Sequence, residues 1–264
     1  MMRSDLPPTA DGRADGSDLR LRVASYNVHR CVGGDGVHDP ARVGAVLREL
    51  DADVIGLQEV DCGFEPAFDV DQLELLANVA GMTPIEGPTL RGEGGHYGNA
   101  ILTRVRPTSV RRHDLSVSRR EPRGALDVDV DIQGMTIRVI ATHLGLRRRE
   151  RARQARKLVA ALSDHARPQT VVVGDFNEWR PRERALVPLS AALGAAPRLR
   201  TFPARFPVLP LDRIWATPPE AIESMCTHAS PLASVASDHL PVVAMLRWHT
   251  GAASPAHGAA AEGG

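Results

Sequence analysis

Eight strand-length apolar runs and four stretches of helical periodicity share this chain, and any fold must bury a face of each. The runs are "LRLRVASYNV", "ADVIGLQEV", "GNAILTRV", "GALDVDVDIQ", "MTIRVIATHL", "QTVVVGDF", "LDRIWAT" and "LPVVAMLRW". Helical spacing marks "DPARVGAVLRELD", "DVDQLELLANVAG", "RRRERARQARKLVAALSDH" and, more weakly, "PRERALVPLSAALG". The first of these opens on Asp39-Pro40, an N-cap followed by proline at the first helical position. "LDVDVDI" alternates as a strand with one wet face does, and the turn "QG" joins it to "MTIRVIATHL" as a hairpin. Strands outnumber helices, and hairpins mix with crossover helices. The expected fold class is α/β, with two mixed β-sheets packed face to face and helices outside.

A single domain over residues 19–248 is the simplest division, since no linker or repeat interrupts the pattern. Residues 1–18 and 249–264 are rich in Pro, Gly, Ala and polar groups and are expected to be disordered tails. No apolar leader and no membrane-length run is present in the sequence as given, so the cytoplasm is the expected compartment. Cys31, Cys62 and Cys226 form no zinc or disulfide pattern and read as idle thiols. Lys plus Arg equals Asp plus Glu, so no global charge draws the protein to a polyanion. Aromatic residues make up only 4% of the chain, too few to support a stacking platform for single strands. The run "RRRERARQARK" reads as a solvated helix face, because Ala155, Leu158, Val159 and Leu162 form its inward stripe. Its first residues, Arg147 and Arg148, lie close enough to His143 to attract phosphates.

Polar groups recur where apolar runs stop. Asn27 and His29 close the first run, Gln58-Glu59 the second, Thr142-His143 the fifth, and Asp175 with Asn177 the sixth. Asp212 opens the seventh, and Asp238-His239 precedes the eighth. Burying such groups costs several kcal/mol unless they are paired or bind metal. Six endings of this kind predict a common polar cleft at one end of the sheets. Glu59 offers a hard anionic oxygen and Asn27 a neutral one, a set that suits Mg²⁺ or Mn²⁺. Clustered Cys or paired His ligands, which zinc would favour, are lacking. His143 and His239 titrate near neutrality when unperturbed, and Asp212 and Asp238 are placed to fix their tautomers. Asn177 can donate to a developing negative charge.

"ASYNVHR", "LQEV", "GDFN" and "SDHLP", in that order, resemble the endonuclease/exonuclease/phosphatase superfamily, the DNase-I-like metal-dependent phosphohydrolases. The resemblance spans almost the whole domain and is similar in kind to small bacterial members of unassigned substrate. It implies a four-layer α/β sandwich. It also implies that Glu59 and Asn27 hold the catalytic Mg²⁺, with Asp238 contributing. Asp175 and Asn177 would lie beside the scissile phosphate, Asp175 orienting or activating water and Asn177 stabilising the pentacoordinate oxygens. His239, backed by Asp238, would act either as base or as phosphate ligand. His143, backed by Asp212, would be the acid on the leaving-group side.

Asn99 and Arg123 are further candidates for substrate binding, Arg123 through its planar fork. His29, Arg30, His96 and Tyr97 lie in neighbouring loops, and "TFPARFPVLP" reads as a rigid loop over the site. The expected activity is Mg²⁺-dependent hydrolysis of phosphate esters, foremost a phosphodiesterase using in-line attack by water. The alternatives are an endonuclease or exonuclease on DNA or RNA, and a non-catalytic phosphate-binding module on the same fold. The expected partner is a phosphate-ester substrate, whether small molecule, lipid headgroup or nucleic acid, with no obligate protein partner.

Overall fold

The computed structural model describes residues 18–66, 71–180 and 182–249. Its elements are β1 (Asp18–Asn27), α1 (Pro40–Leu50), β2 (Val54–Cys62), α2 (Gln72–Ala80), β3 (Thr83–Arg91), β4 (His96–Thr103), β5 (Arg106–Asp114) and β6 (Gly124–Ile132). There follow β7 (Met135–His143), α3 (Arg148–Asp164), β8 (Thr170–Asp175), α4 (Val187–Leu193), β9 (Asp212–Thr217), β10 (Ile222–Thr227), α5 (Ala233–Ala236) and β11 (Val242–His249). One sheet has the order β10-β11-β1-β2-β4-β3 and the other β5-β6-β7-β8-β9. Both are mixed: β1 runs parallel to β2 but antiparallel to β11, and β7 parallel to β8 but antiparallel to β6.

The layers follow from which faces are apolar. Val23, Val54 and Ile101 of the first sheet meet Val128, Val139 and Val173 of the second in a central core. Val43, Leu47, Leu73 and Leu76 of α1 and α2 cover the far side of the first sheet. Leu158 of α3 and Leu189 of α4 do the same for the second, against Phe176 and Trp215. Helix, sheet, sheet, helix is therefore the order of the four layers, and the α/β sandwich expected from the sequence is the fold. Phe176 packs edge-on to Trp215 at 4.7 Å and anchors the turn after β8.

Local signals set the element ends. Asp39 caps α1 by accepting from the Arg42 amide, with Pro40 behind it. Asp71 caps α2 in the same way; residues 69–70 of the expected helix lie outside the described residues. The weak fourth pattern yields a helix only over 187–193, and its Pro181 is likewise outside. Gln133 and Gly134 both take positive φ, which lets Ile132 pair directly with Met135 across the hairpin.

Three strands were not expected: β3, β5 and β10. All three are edge strands, where prolines and charges interrupt the apolar signature. Two further expectations change. Asp18 and His249, assigned to the tails, pair with each other at the ends of β1 and β11; residues 1–17 and 250–264 lie outside the described residues. The alternating face of β6 is not wet either. Asp127 and Asp129 are buried because Arg111, Arg138 and Arg167 cover and neutralise them.

Candidate active site

Strand register brings the polar endings together. In the second sheet His143 is level with Asp175 on the parallel pair β7 and β8, and Asp175 with Asp212 on the antiparallel pair β8 and β9. In the first sheet Asn27 is level with Gln58, which puts Glu59 just beyond it. β11 runs back along β1, so the segment entering it delivers His239 to the same end.

The backbone bends to aim these groups. Pairing of β2 with β4 shifts register between Leu57 and Val60, and Glu59 sits in that bulge with φ of 60°. Asn177 has φ of 51°. Left-handed backbone outside glycine costs on the order of 1 kcal/mol or more, and it clusters where function demands it. Gly174 is required by space: a Cβ there would lie 2.0 Å from the Thr142 carbonyl oxygen.

Asn27 stands between two carboxylates. Its Nδ2 donates to Glu59 Oε1 at 2.9 Å and to Asp175 Oδ2 at 3.1 Å, while its Oδ1 accepts from the His29 amide. Ser237 Oγ donates to the Asn27 carbonyl at 2.7 Å and so ties the His239 segment to β1. Asp175 Oδ1 accepts from the Asn177 amide at 2.8 Å, and Asn177 Nδ2 donates to the Leu144 carbonyl at 2.9 Å. Asn177 Nδ2 also lies 3.0 Å from His143 Nε2.

The two histidines differ in their partners, and the pairing expected from the sequence is exchanged. His239 Nδ1 lies 2.9 Å from Asp212 Oδ2, whereas Asp238 turns its carboxylate toward His29 at 3.7 Å. Asp212 therefore backs His239. His143 has Arg123 instead, whose Nη1 donates to His143 Nδ1 at 3.0 Å. The reason is strand order. β8 separates β7 from β9, so His143 and Asp212 are two strand spacings apart, about 9–10 Å.

Charge follows from these neighbours. Burial, with Arg123 and His239 adding to it, drives His143 down to about 3, so the ring is neutral at neutral pH. Burial alone would lower His239 too, but Asp212, Asp175 and Asp238 outweigh it and lift the group to about 10. Burial and Asp212 raise the Asp175 carboxyl to about 6. Burial would also raise Glu59, yet His143, Asn27, His29 and His239 bring it below its ordinary value.

Ligand atoms of Asp175, Asp212 and His239 lie within 4.8 Å of one another. Asp212 Oδ1 is buried there without a hydrogen-bond partner. A buried carboxylate oxygen left bare is costly, and a hard divalent cation satisfies it. With Glu59 and Asn27 alongside, the oxygen-rich donor set fits such an ion.

Asn99 is buried and donates to the Gly124 carbonyl at 3.0 Å, beside Arg123. Sequence reasoning missed Thr201 and Ser237. Thr201 Oγ1 donates to Asp212 Oδ2 from the proline-rich loop 201–210, and Phe202 of the same loop lies 5.0 Å from the His239 ring. Ser237 adjoins "DHLP", a signal that could have found it; nothing local marks Thr201.

The sequence profile of the Endonuclease/Exonuclease/phosphatase family matches residues 24–239. The Escherichia coli K12 protein YbhP, itself uncharacterised, is 32% identical over 218 residues, covering 76% of this chain and 85% of that one. Among solved structures, an endonuclease/exonuclease/phosphatase from Beutenbergia cavernae superposes with a TM-score of 0.65 at 26% identity, over 86% of this chain and 71% of that one. The mannosyl-6-phosphatase Bt3783 of Bacteroides thetaiotaomicron shares the fold, with a TM-score of 0.69 at 18% identity over 85% of this chain and 98% of its own.

Proposed function

This chain belongs to the endonuclease/exonuclease/phosphatase family of phosphoester hydrolases, and on that premise we propose that it is a Mg²⁺-dependent phosphodiesterase. The observation that carries the reading is the bare, buried Asp212 Oδ1 beside Asp175 and His239. Glu59, Asn27, Asp175 and Asp212 would hold the ion; Asp238, facing His29, is left outside this set. Bound Mg²⁺, or Mn²⁺ in its place, would polarise a phosphoryl oxygen and offset the charge that develops on it.

The chain's own groups supply the rest. Asp175, accepting from the Asn177 amide through Oδ1, orients the attacking water. His239, held by Asp212 and carrying a proton, donates to a phosphoryl oxygen. Asn177 offers its side-chain amide to the equatorial oxygens. Arg123 donates to His143 Nδ1 and so leaves the ring's proton on Nε2, 3.5 Å from Asp175 Oδ2. A singly charged diester suits this carboxylate-rich pocket better than a doubly charged monoester, since like charge is costly in a low-dielectric site.

Release of p-nitrophenol from bis-p-nitrophenyl phosphate, compared with p-nitrophenyl phosphate, tests the reading. Expected is turnover of the diester that EDTA abolishes and Mg²⁺ restores. Turnover that persists in EDTA, or is confined to the monoester, overturns it.

A further inference from the structure

Several arginines of this molecule have a carboxylate. Arg42 pairs with Asp35, Arg104 with Asp51, Arg111 and Arg138 with Asp127, Arg151 with Glu178, and Arg213 with Glu183. One cavity gathers arginines that have none. It has a volume of about 600 Å³ and is lined by Arg120, Arg147, Arg148, Arg149, Arg153 and Arg180. All six are exposed, and among the described residues none has an ion-pair partner. Glu150 lines the same cavity, but its buried carboxylate accepts from Gln154 Nε2 and the Arg147 amide.

This arrangement works against the helix that carries most of it. The N-terminal turn of α3 already bears partial positive charge, and cations there cost stability. Arg149 and Arg153, one turn apart, repel each other. Positive charge placed against helix electrostatics, in a chain of zero net charge, has its natural complement in an anion.

Three chain segments lead from the active site to the cavity. Arg120 lies three residues before Arg123, the partner of His143. Arg147 follows His143 by four residues, and Arg180 follows Asn177 by three. Such spans reach at most roughly 10–14 Å. The walls are firm: Arg151 donates to the Leu146 carbonyl and Arg151 Nη2 lies 3.3 Å from Glu178 Oε2, while Gly145 donates to Gln154 Oε1 at 2.8 Å.

We infer that this cavity is a second anion site, taking a phosphate group of the substrate other than the one cleaved. The inference rests on the phosphoester-hydrolase reading above and narrows it: the preferred substrate carries at least two phosphates. The volume is that of a small-ligand site, ample for a phosphate and its attached group.

The test measures kcat/KM on two pairs of substrates, each with and without additional phosphates. One pair is a dinucleoside monophosphate and a pentanucleotide; the other is glycerophosphoinositol and its 4,5-bisphosphate. The protein is compared with the double variant Arg149→Glu/Arg153→Glu and with Arg156→Glu, an exposed change on α3 outside the cavity. Arg149→Glu falls in the first turn of α3, where a negative charge favours the helix, so folding should survive. In the double variant the preference for the polyphosphorylated member should fall at least tenfold, about what a charge-assisted contact supplies. Arg156→Glu should keep the preference, and the pair that responds identifies the source of the second phosphate.

An unchanged preference in both pairs, with cleavage intact, overturns the inference. So does loss of binding to phosphatidylserine vesicles without any change in preference, which would make the patch a membrane-facing surface. If no substrate is cleaved, the hydrolase reading fails separately. Binding of inorganic pyrophosphate in EDTA then decides, read from emission of Trp179, the exposed tryptophan whose ring lies 5.4 Å from the Arg180 guanidinium. Weaker binding by the double variant supports the site, and equal binding overturns it.

Discussion

Two clusters of charge, one where strands of both sheets end and one on the second sheet, are built to opposite rules. On its outer face Asp127 meets Arg138 at 2.6 Å, Arg111 at 2.8 Å and His113 at 2.8 Å, while Asp129 meets Arg111 at 2.7 Å and Arg167 at 3.4 Å. Arg138 also donates to the carbonyls of Ala161, Leu162 and His165 and so closes the end of α3. Every carboxylate oxygen in that cluster has a donor. At the strand ends Glu59, Asp175 and Asp212 gather with one raised histidine, one neutral histidine and an oxygen left bare. Glu59 and Asn177 hold strained backbone there as well. Balanced, saturated charge holds a fold together; unbalanced charge on strained backbone marks a place that awaits a ligand.

The sharpest way to break this contrast is to neutralise each cluster in turn. Glu59→Gln and Asp175→Asn should each lower diesterase kcat by about 10²–10⁴, the range of lost acid–base or electrostatic catalysis. The melting temperature of Asp175→Asn should hold or rise, because burial and Asp212 already disfavour that charge. Full activity in both variants would mean the site is elsewhere. Asp127→Ala should do the reverse. Removing the shared carboxylate leaves Arg138 buried without its partner and should cost about 3–5 kcal/mol in denaturant unfolding, with activity per folded molecule kept. A loss under about 1 kcal/mol would show that the network is ornamental.

Cation binding should separate the clusters next. Mg²⁺ at a hundredfold excess over its Kd should stabilise the protein by about 2.7 kcal/mol, and Glu59→Gln should lose most of that gain while Asp127→Asn keeps it. Equal stabilisation of all three would place the ion away from Glu59. The smallest effect is acid dependence. Burial would raise Asp127, but Arg138, Arg111 and His113 outweigh it and hold its carboxyl below the usual range. A depressed folded value means the stabilisation is complete above the unfolded value of about 4 and is lost as pH falls through the folded one. Below about pH 4 the melting temperature of the native protein should therefore fall more steeply than that of Asp127→Asn, whereas parallel curves would show no linkage.

Particular residues show how far the sequence could be read. "VVVGDFN" is a local statement: β-branched residues, a glycine that admits the Thr142 carbonyl, then two polar groups at the strand end. The strands that escaped notice, β3, β5 and β10, sit at sheet edges, where pairing on one side tolerates the prolines of 83–91 and the charges of 106–114. Asp127 and Asp129 looked solvated because alternation reveals which residues share a face and not what covers it. The arginine run at α3 is a solvated face as expected, with Ala155 and Leu158 turned inward. Its unpaired charge becomes visible only when Arg120 and Arg180 arrive from other loops.

By itself, then, the sequence determined the residue types, their positions at strand ends and the layered α/β fold, because these depend on short-range periodicity. The partners were decided in three dimensions. Asp212 was as near in sequence logic to His143 as to His239, and only the order β7-β8-β9 put Asp175 between them. The antiparallel return of β11 then brought His239 across from the other sheet onto Asp212. A hydrogen bond acts over about 3 Å, so which carboxylate serves which histidine is settled by strand order and register, which no local pattern records.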